Sequence, residues 1–123
     1  MKPTSWIVFG ALFGFLAVTV GAFGAHALKS RVSPDLISTF ETGARYQMYH
    51  ALALVLLGIA AQSISSPLME WSGWLFVGGI VLFSGSLYLR VLTDVSAFGA
   101  VTPFGGLCFM AGWIFLALGA YRG

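Results

Sequence analysis

Residues 40–55 read FETGARYQMYHALALV, a stretch that joins a polar segment to a run of apolar residues. An acid, a base, two phenols and an imidazole stand at the start of this run: Glu41, Arg45, Tyr46, Tyr49 and His50. Ionisable groups are costly inside a bilayer unless they are paired or lie near the end of a crossing. The stretch therefore predicts a helix that enters a membrane, with polar side chains gathered where it enters.

The composition of the whole chain also indicates a membrane protein. Of the 123 residues, 59% are hydrophobic and 8% are charged, whereas a water-soluble domain has roughly a quarter of its residues charged. The formal net charge of +2 is scattered along the chain, which argues against nucleic-acid binding. The single cysteine, Cys108, excludes an internal disulfide and a metal site made of several cysteines.

Four stretches are long and apolar enough to cross a bilayer, which takes about 20 mostly apolar residues. The predicted crossings run from about residues 5–27, 46–64, 71–92 and 103–121. Backbone in lipid must form its own hydrogen bonds, so each crossing is predicted to be an α-helix. We therefore expect an all-α fold, with residues 1–123 forming a single membrane domain built as a four-helix bundle.

Helix-start signals separate these stretches, each with a hydroxyl side chain before a proline. The signals are Ser33-Pro34-Asp35, Ser66-Pro67 and Thr102-Pro103. Between the first and second crossings, residues 34–44 carry one apolar face. This pattern predicts a short amphipathic helix in the membrane interface, with a bend at Gly43. The alternative is a helix that is continuous with the second crossing.

The basic residues predict an orientation. With four crossings, Lys2 and Arg122 share one side of the membrane, and the other side holds four basic residues: Lys29, Arg31, Arg45 and Arg90. The positive-inside rule then places residues 28–45 in the cytoplasm and both termini outside. Tryptophan and tyrosine residues near the termini are expected to form an interfacial belt: Trp6, Trp71, Trp74 and Tyr121.

The start of the chain has one feature of a cleaved signal peptide. The sequence AFGAHA, residues 22–27, contains a small-residue pattern of the cleavage-site type. However, a signal peptide has an apolar core of about 7–15 residues, and the run here is longer. We therefore expect the first apolar stretch to be retained.

Glycines recur at helical spacings in three of the four stretches. Small residues let helices approach closely in lipid, where the hydrophobic effect does not drive helix association. The glycines predicted to lie at helix contacts are Gly10, Gly14, Gly21, Gly78, Gly85, Gly105, Gly112 and Gly119. This spacing does not distinguish a contact within the chain from one with a second copy.

Polar residues from several helices are expected to converge at one membrane face. Tyr46, Tyr49 and His50 share one helical stripe, and Glu41 and Arg45 have the spacing of an ion pair within a helix. The predicted cluster, a candidate ligand site, is His26, Glu41, Arg45, Tyr46, Tyr49, His50, Ser86, Tyr88 and Arg90.

Four short motifs resemble those of a known family. They read GAFGAHAL, YQMYHALAL, FSGSLYL and TPFGGLCFMAGW. They are similar to motifs of the YgdD/YwdK-like family of small bacterial membrane proteins, domain of unknown function 423, to which human transmembrane protein 256 is also similar. The resemblance implies four membrane helices and a bacterial inner membrane, and it implies no activity. Its motif residues here are Gly24, His26, Tyr46, Gln47, His50, Gly85, Ser86, Tyr88, Pro103, Gly105 and Gly106.

Two functions fit these observations. The first is a structural or accessory membrane component whose partners are lipids and either further copies of itself or a larger membrane complex. The alternative is binding or transport of a lipid, a quinone or a small amphiphile through the polar cluster. The chain has no recognisable catalytic motif. We therefore expect no enzyme, no cofactor and no metal site.

Overall fold

Four long helices form the fold. The structure is a computed structural model that describes residues 1–123 except for the side chain of Ala25. The helices are α1 (Pro3–Leu28), α2 (Pro34–Ala60), α3 (Pro67–Thr93) and α4 (Thr102–Arg122), with a 3-10 helix at Ser96–Ala100 before α4. The prediction of an all-α fold is confirmed.

Three stretches have the length and hydropathy of a membrane crossing. They are Pro3–Leu28, Pro67–Thr93 and Ser96–Arg122, the last made of the 3-10 helix and α4. Helix α2 is not among them, although its 27 residues make it as long as the others. Polar residues such as Arg45, Gln47 and His50 lower its hydropathy. A fourth crossing therefore remains a prediction.

Helix α2 corrects the prediction of a separate interfacial helix. One helix runs without interruption from Pro34 to Ala60, so the amphipathic segment is continuous with the apolar segment that follows. Gly43 does not break it. This glycine is buried against Tyr88 of α3, and an added Cβ would lie 2.9 Å from the Tyr88 ring. The glycine thus serves close packing, which the sequence did not distinguish from a bend.

Two of the three helix-start signals act as predicted. The Ser33 hydroxyl accepts a hydrogen bond from the Leu36 amide at 3.4 Å, and the Ser66 hydroxyl accepts one from the Leu68 amide at 3.3 Å. Thr102 differs, because it is the first residue of α4 rather than its cap. Its hydroxyl lies 2.6 Å from the Ser86 hydroxyl of α3 and so joins two helices.

The helices pack most closely in two pairs, α1 with α2 and α3 with α4. In the first pair, Gly10 faces the backbone of α2, and an added Cβ would lie 2.6 Å from the Ala51 carbonyl oxygen. In the second pair, Gly105 faces Phe83, Gly112 faces Phe76 and Gly119 faces Met69. Gly14 and Gly21 are in ordinary contact with Ala51 and Ala44 of α2. Glycine therefore sets the distance between the axes in both pairs.

Gly78 and Gly85 do not pack against another helix of the chain, so a contact with a second copy stays a prediction for them. Neither has a neighbour within 4 Å of an added Cβ, so their stripe on α3 is not a contact within the chain. The glycines of α3 that face other helices are Gly73, against Trp6, and Gly79, against Phe109. A π turn at Ile80–Ser84 lies between Gly78 and Gly85. A π turn has i→i+5 hydrogen bonds, so a seven-residue spacing across it does not follow one helix face.

The prediction that Trp6 belongs to an interfacial aromatic belt is wrong. Trp6 is 2% exposed and belongs to the core, where its ring lies over Gly73 and meets Trp74 edge-on at 5.2 Å. Trp71, Trp74 and Tyr121 are exposed, as residues at a membrane interface would be.

We expect Gly10→Ala and Gly78→Ala to have opposite effects on the free energy of unfolding in detergent. The first places a methyl group against the backbone of α2 and should destabilise the protein by about 1–3 kcal/mol, the usual range for overpacking. The second adds a methyl group in open space within a helix, where alanine is favoured over glycine by up to about 1 kcal/mol. Equal effects of the two substitutions would contradict the packing of α1 against α2.

Candidate functional site

Gln47 of α2 connects three helices inside the bundle. Its amide nitrogen donates to the Phe13 carbonyl of α1 at 2.8 Å, and its amide oxygen accepts from the Tyr88 hydroxyl of α3 at 2.7 Å. The side chain is 4% exposed. An unpaired amide in this place would be costly, because neither lipid nor apolar side chains can hydrogen-bond to it. The two bonds therefore both satisfy Gln47 and fix α1, α2 and α3 relative to one another.

His50, one turn further along α2, is also buried and bonded on both sides. Its Nε2 accepts a hydrogen bond from the Trp113 indole of α4 at 3.1 Å. An indole nitrogen only donates, so Nε2 carries no proton and the neutral ring holds its proton on Nδ1. Nδ1 lies 2.8 Å from the Tyr46 carbonyl oxygen, to which it donates. The imidazole is stacked on Phe109 with centroids 3.6 Å apart.

Three buried serines make further bonds between or within helices. Ser72 donates to the Gly112 carbonyl at 2.7 Å, and Ser84 donates to the Gly43 carbonyl at 2.6 Å. Ser86 donates to the Phe83 carbonyl at 2.9 Å and also meets Thr102. Among the described residues, no buried side-chain nitrogen or oxygen lacks a partner. The interior polar groups are thus fully engaged in holding the helices together.

The predicted polar cluster is divided by the fold. His26, Glu41 and Arg45 are exposed, and the ion pairs found in the described part of the chain do not include Glu41 with Arg45. Arg90 instead donates to Asp94 at 2.8 Å, at the end of α3. The nine residues therefore do not converge on one site. Gln47, Ser84, Phe109 and Trp113 were not in the predicted cluster, although a polar amide within an apolar stretch could have indicated Gln47.

Tyr46, Tyr49 and His50 line a groove between α2 and α4, which we call the aromatic groove. Phe83, in the π turn of α3, and the α4 residues Gly106, Phe109, Met110 and Trp113 complete its lining. Its volume is about 580 Å³. Ligand pockets for small molecules are typically about 300–1,000 Å³ and mostly apolar with a few polar groups. The groove has these properties.

Tyr88 and Arg90 line two other, neighbouring cavities. The first, which we call the end groove, has a volume of about 390 Å³ and is lined by Val20, Gly24, Ala27, Leu28, Arg31, Phe40, Tyr88 and Leu92. The second, the polar bowl, has a volume of about 690 Å³ and lies between residues 31–36 and 90–94. Arg31 and Leu92 line both cavities, so the two cavities lie next to each other.

Each groove has a π turn in its wall. Val20 and Gly24 belong to the π turn of α1 and line the end groove, and Phe83 belongs to the π turn of α3 and lines the aromatic groove. Single π turns within α-helices occur frequently at functional sites. Within the described residues, no three histidine, cysteine or acidic side chains come together as metal ligands. The chemistry that the grooves offer is therefore that of apolar and aromatic contacts with a few hydrogen bonds.

Comparison with known proteins shows that the chain is similar to a family of membrane proteins. The family described as protein of unknown function (DUF423) matches residues 20–106. A UPF0382 membrane protein of Staphylococcus aureus (strain bovine RF122 / ET3-1) is 44% identical over 117 residues, which cover 95% of each chain. The UPF0382 membrane protein YwdK of Bacillus subtilis (strain 168) is 42% identical over 118 residues, 95% of this chain and 96% of the relative. No solved structure matches.

We expect Gln47→Leu and Tyr88→Phe to be coupled in stability. Either change alone leaves a polar partner unpaired in the bundle, at a cost of about 1–2 kcal/mol, the size of hydrogen bonds between membrane helices in model peptides. The double variant should lose less than the sum of the two single losses. Unfolding titrations with a denaturing detergent would measure the four proteins. Tyr49→Phe, whose ring is exposed, serves as the control and should have no effect; additive losses would contradict the Gln47–Tyr88 bond.

Proposed function

Because the chain belongs to the DUF423 family of proteins of unknown function, we propose that it acts as an accessory component of a bacterial inner membrane rather than as an enzyme. Its relatives are named as membrane proteins and its helices are apolar, so the chain is a membrane protein. The main support for the accessory role is that the polar side chains inside the bundle are all hydrogen-bonded. Gln47, His50 and the buried serines all bond to other parts of the bundle, which leaves none of them free for chemistry.

A fourth crossing, by α2, is part of this proposal. Helix α2 lies antiparallel to α1 along most of its length: Gly58 meets Ile7 near one end, and Phe40 meets Gly24 near the other. At about 1.5 Å per residue, its 27 residues reach about 40 Å, enough to cross a hydrocarbon layer of about 30 Å. The mean hydropathy of α2 underestimates its suitability for crossing a membrane, because the polar residues Gln47 and His50 face the bundle and not the lipid. A helix that accompanies α1 across the membrane crosses it too.

The charges support an orientation with both termini outside. Lys29, Arg31, Arg45 and Arg90 belong to the end of the bundle where α1 ends and α2 begins. The opposite end holds Lys2 and Arg122. The positive-inside rule therefore favours the connections at 29–33 and 94–101 on the cytoplasmic side.

Labelling of single cysteines with a membrane-impermeant maleimide would test the number of crossings. In a Cys108→Ala background, cysteines at Ser30, Ser63 and Ser96 mark the three connections, and all three positions are exposed. Four crossings with both termini outside predict that Ser63→Cys is labelled in intact spheroplasts and that the other two are labelled only after lysis. Labelling of Ser30→Cys and Ser63→Cys from the same side would show that α2 does not cross.

Isolation from the native membrane would test the accessory role. In mild detergent, the tagged full-length chain is expected to run as a defined assembly larger than one 13.1 kDa chain, with a constant protein stoichiometry. We expect the same assembly for a His50→Phe/Trp113→Phe variant, because replacing both partners of a buried hydrogen bond by apolar rings is nearly neutral. A chain that runs alone, with a stoichiometric small molecule and no protein, would favour the second function below.

The aromatic groove favours a second function, the binding of a membrane-soluble amphiphile. Its aromatic side chains offer stacking surfaces, and the hydroxyls of Tyr46 and Tyr49 make no hydrogen bond within the described residues. Gly106 keeps the groove open, since an added Cβ there has only Phe83 within 4 Å, at 3.9 Å. A quinone-like or lipid-like molecule would fit such a surface between two membrane helices.

Filling the groove would test this second function. Gly106→Leu is expected to fold normally and to lose, in native mass spectrometry, the amphiphile that the aromatic groove of the wild-type protein binds. Gly85→Leu is the matched control, because it adds the same side chain to a helix at a place with no neighbour within 4 Å. Retention of the molecule by the Gly106 variant would assign it to another part of the surface.

A further inference from the structure

The end groove and the polar bowl together have the layout of a phospholipid site. The end groove is lined by the last turns of α1, by Tyr88 and Leu92 of α3, and by Phe40 of α2. Phe40 is 4% exposed and is held by Gly24, where an added Cβ would lie 2.7 Å from the ring, and by Tyr88 at a centroid distance of 5.1 Å. This cavity is mostly apolar, and it lies next to the polar bowl, with which it shares Arg31 and Leu92.

The depth of these cavities suits the boundary between hydrocarbon and headgroups. Helix α1 carries no acidic or basic residue other than His26 from Pro3 to Leu28, and Lys29 and Arg31 follow at once. Its 26 residues reach about 39 Å at about 1.5 Å per residue, longer than the hydrocarbon layer of about 30 Å. The last turns of α1, which line the end groove, therefore lie where acyl chains meet their headgroups.

The charges of the polar bowl indicate which headgroup fits. The bowl is lined by two arginines and two aspartates, and Arg90 is paired with Asp94. Arg31 and Asp35 remain, both exposed and neither in an ion pair of the described residues. Arg31 lines both cavities, whereas Asp35 lines only the bowl. A cation thus stands next to the apolar groove, and an anion stands further from it.

We propose that this site binds a phospholipid with an ethanolamine headgroup. In such a lipid the acyl chains are followed by the phosphate and then by the ammonium group. The end groove would hold an acyl chain, Arg31 would bind the phosphate, and Asp35 would bind the ammonium group. The ammonium group has three N–H donors for the Asp35 carboxylate. A glycerol headgroup has no cation for Asp35. A choline headgroup has no N–H donor and is recognised by aromatic cages, and no aromatic residue lines the bowl.

Competition between lipids would test the proposal on the full-length chain. The purified protein is mixed with equal amounts of phospholipids that share their acyl chains and carry ethanolamine, choline or glycerol headgroups, and retained lipids are counted by native mass spectrometry. The wild type should retain the ethanolamine lipid about twofold to fivefold more than either other lipid, the effect of one exposed ion pair. Equal retention of the three, or preference for another headgroup, would overturn the proposal.

Three variants separate the roles of the charges. Asp35→Asn should lower the retention of the ethanolamine lipid to the level of the glycerol lipid, without lowering the retention of the glycerol and choline lipids. Arg31→Gln should lower the retention of all three lipids, because each carries the phosphate. Lys29→Gln removes a cation that lines neither cavity and should change nothing. An unchanged preference for the ethanolamine lipid in Asp35→Asn would contradict the proposed site. Gly106→Leu changes the aromatic groove and should leave this preference unchanged, so the two proposals can fail separately.

Discussion

Hydrogen bonding inside an apolar solvent is the constraint on which this fold depends. Lipid offers no partner to an amide, an imidazole or a hydroxyl, so each such group in the bundle needs a partner from another helix or from its own backbone. Gln47 meets this need with one bond to α1 and one to α3. His50 meets it with one bond to α4 and one to its own helix. Through Gln47 and His50, helix α2 forms hydrogen bonds to all three other helices. This role accounts for the polar side chains on the buried face of α2.

Close packing of glycine then explains where the grooves lie. Glycines bring α1 against α2 and α3 against α4, and these two pairs are the tightest in the bundle. Helices α2 and α4 belong to different pairs, and they meet through the side chains of His50, Phe109 and Trp113. Side chains of this size hold two backbones apart. The aromatic groove is the space that results between them, so the same packing that stabilises the pairs also opens a binding surface.

Much of the fold could be predicted from the sequence, and the errors have physical causes. Apolar length and the caps at Ser33 and Ser66 predicted the ends of the helices to within a few residues, whereas the bend expected at Gly43 is absent from α2. The role of Gly43 could not be predicted, because a glycine that bends a helix and one that contacts Tyr88 look alike in a sequence. The seven-residue spacing of Gly78 and Gly85 does not place them on one helix face, because the π turn between them changes the helical period.

The candidate site was harder to predict than the helices. Glu41, Arg45 and Arg90 were predicted to form one cluster because they are charged and lie near the same end of the helices. Exposed side chains at one end of a bundle need not contact each other, however. The grooves depend on which residues of different helices face each other, as Phe40 faces Gly24. One sequence read by periodicity alone contains no information on such pairings. His50 was identified, whereas its partner Trp113 lies 63 residues away and could not be assigned.

The π turns have a consequence for how the two ends of the molecule can change. Each residue of an α-helix rotates the chain by about 100°, and a π turn amounts to one residue inserted into that progression. Deleting one residue from Val20–Gly24 would restore a regular helix and leave Gly10 against α2. Because the wider turn takes up the extra residue, His26 and the residues after it would keep their present direction around the helix axis, and Ala27 and Leu28 would stay in the wall of the end groove. The π turn thus lets the chain carry one additional residue between the half of α1 that packs against α2 and the half that lines the end groove, without turning either surface away.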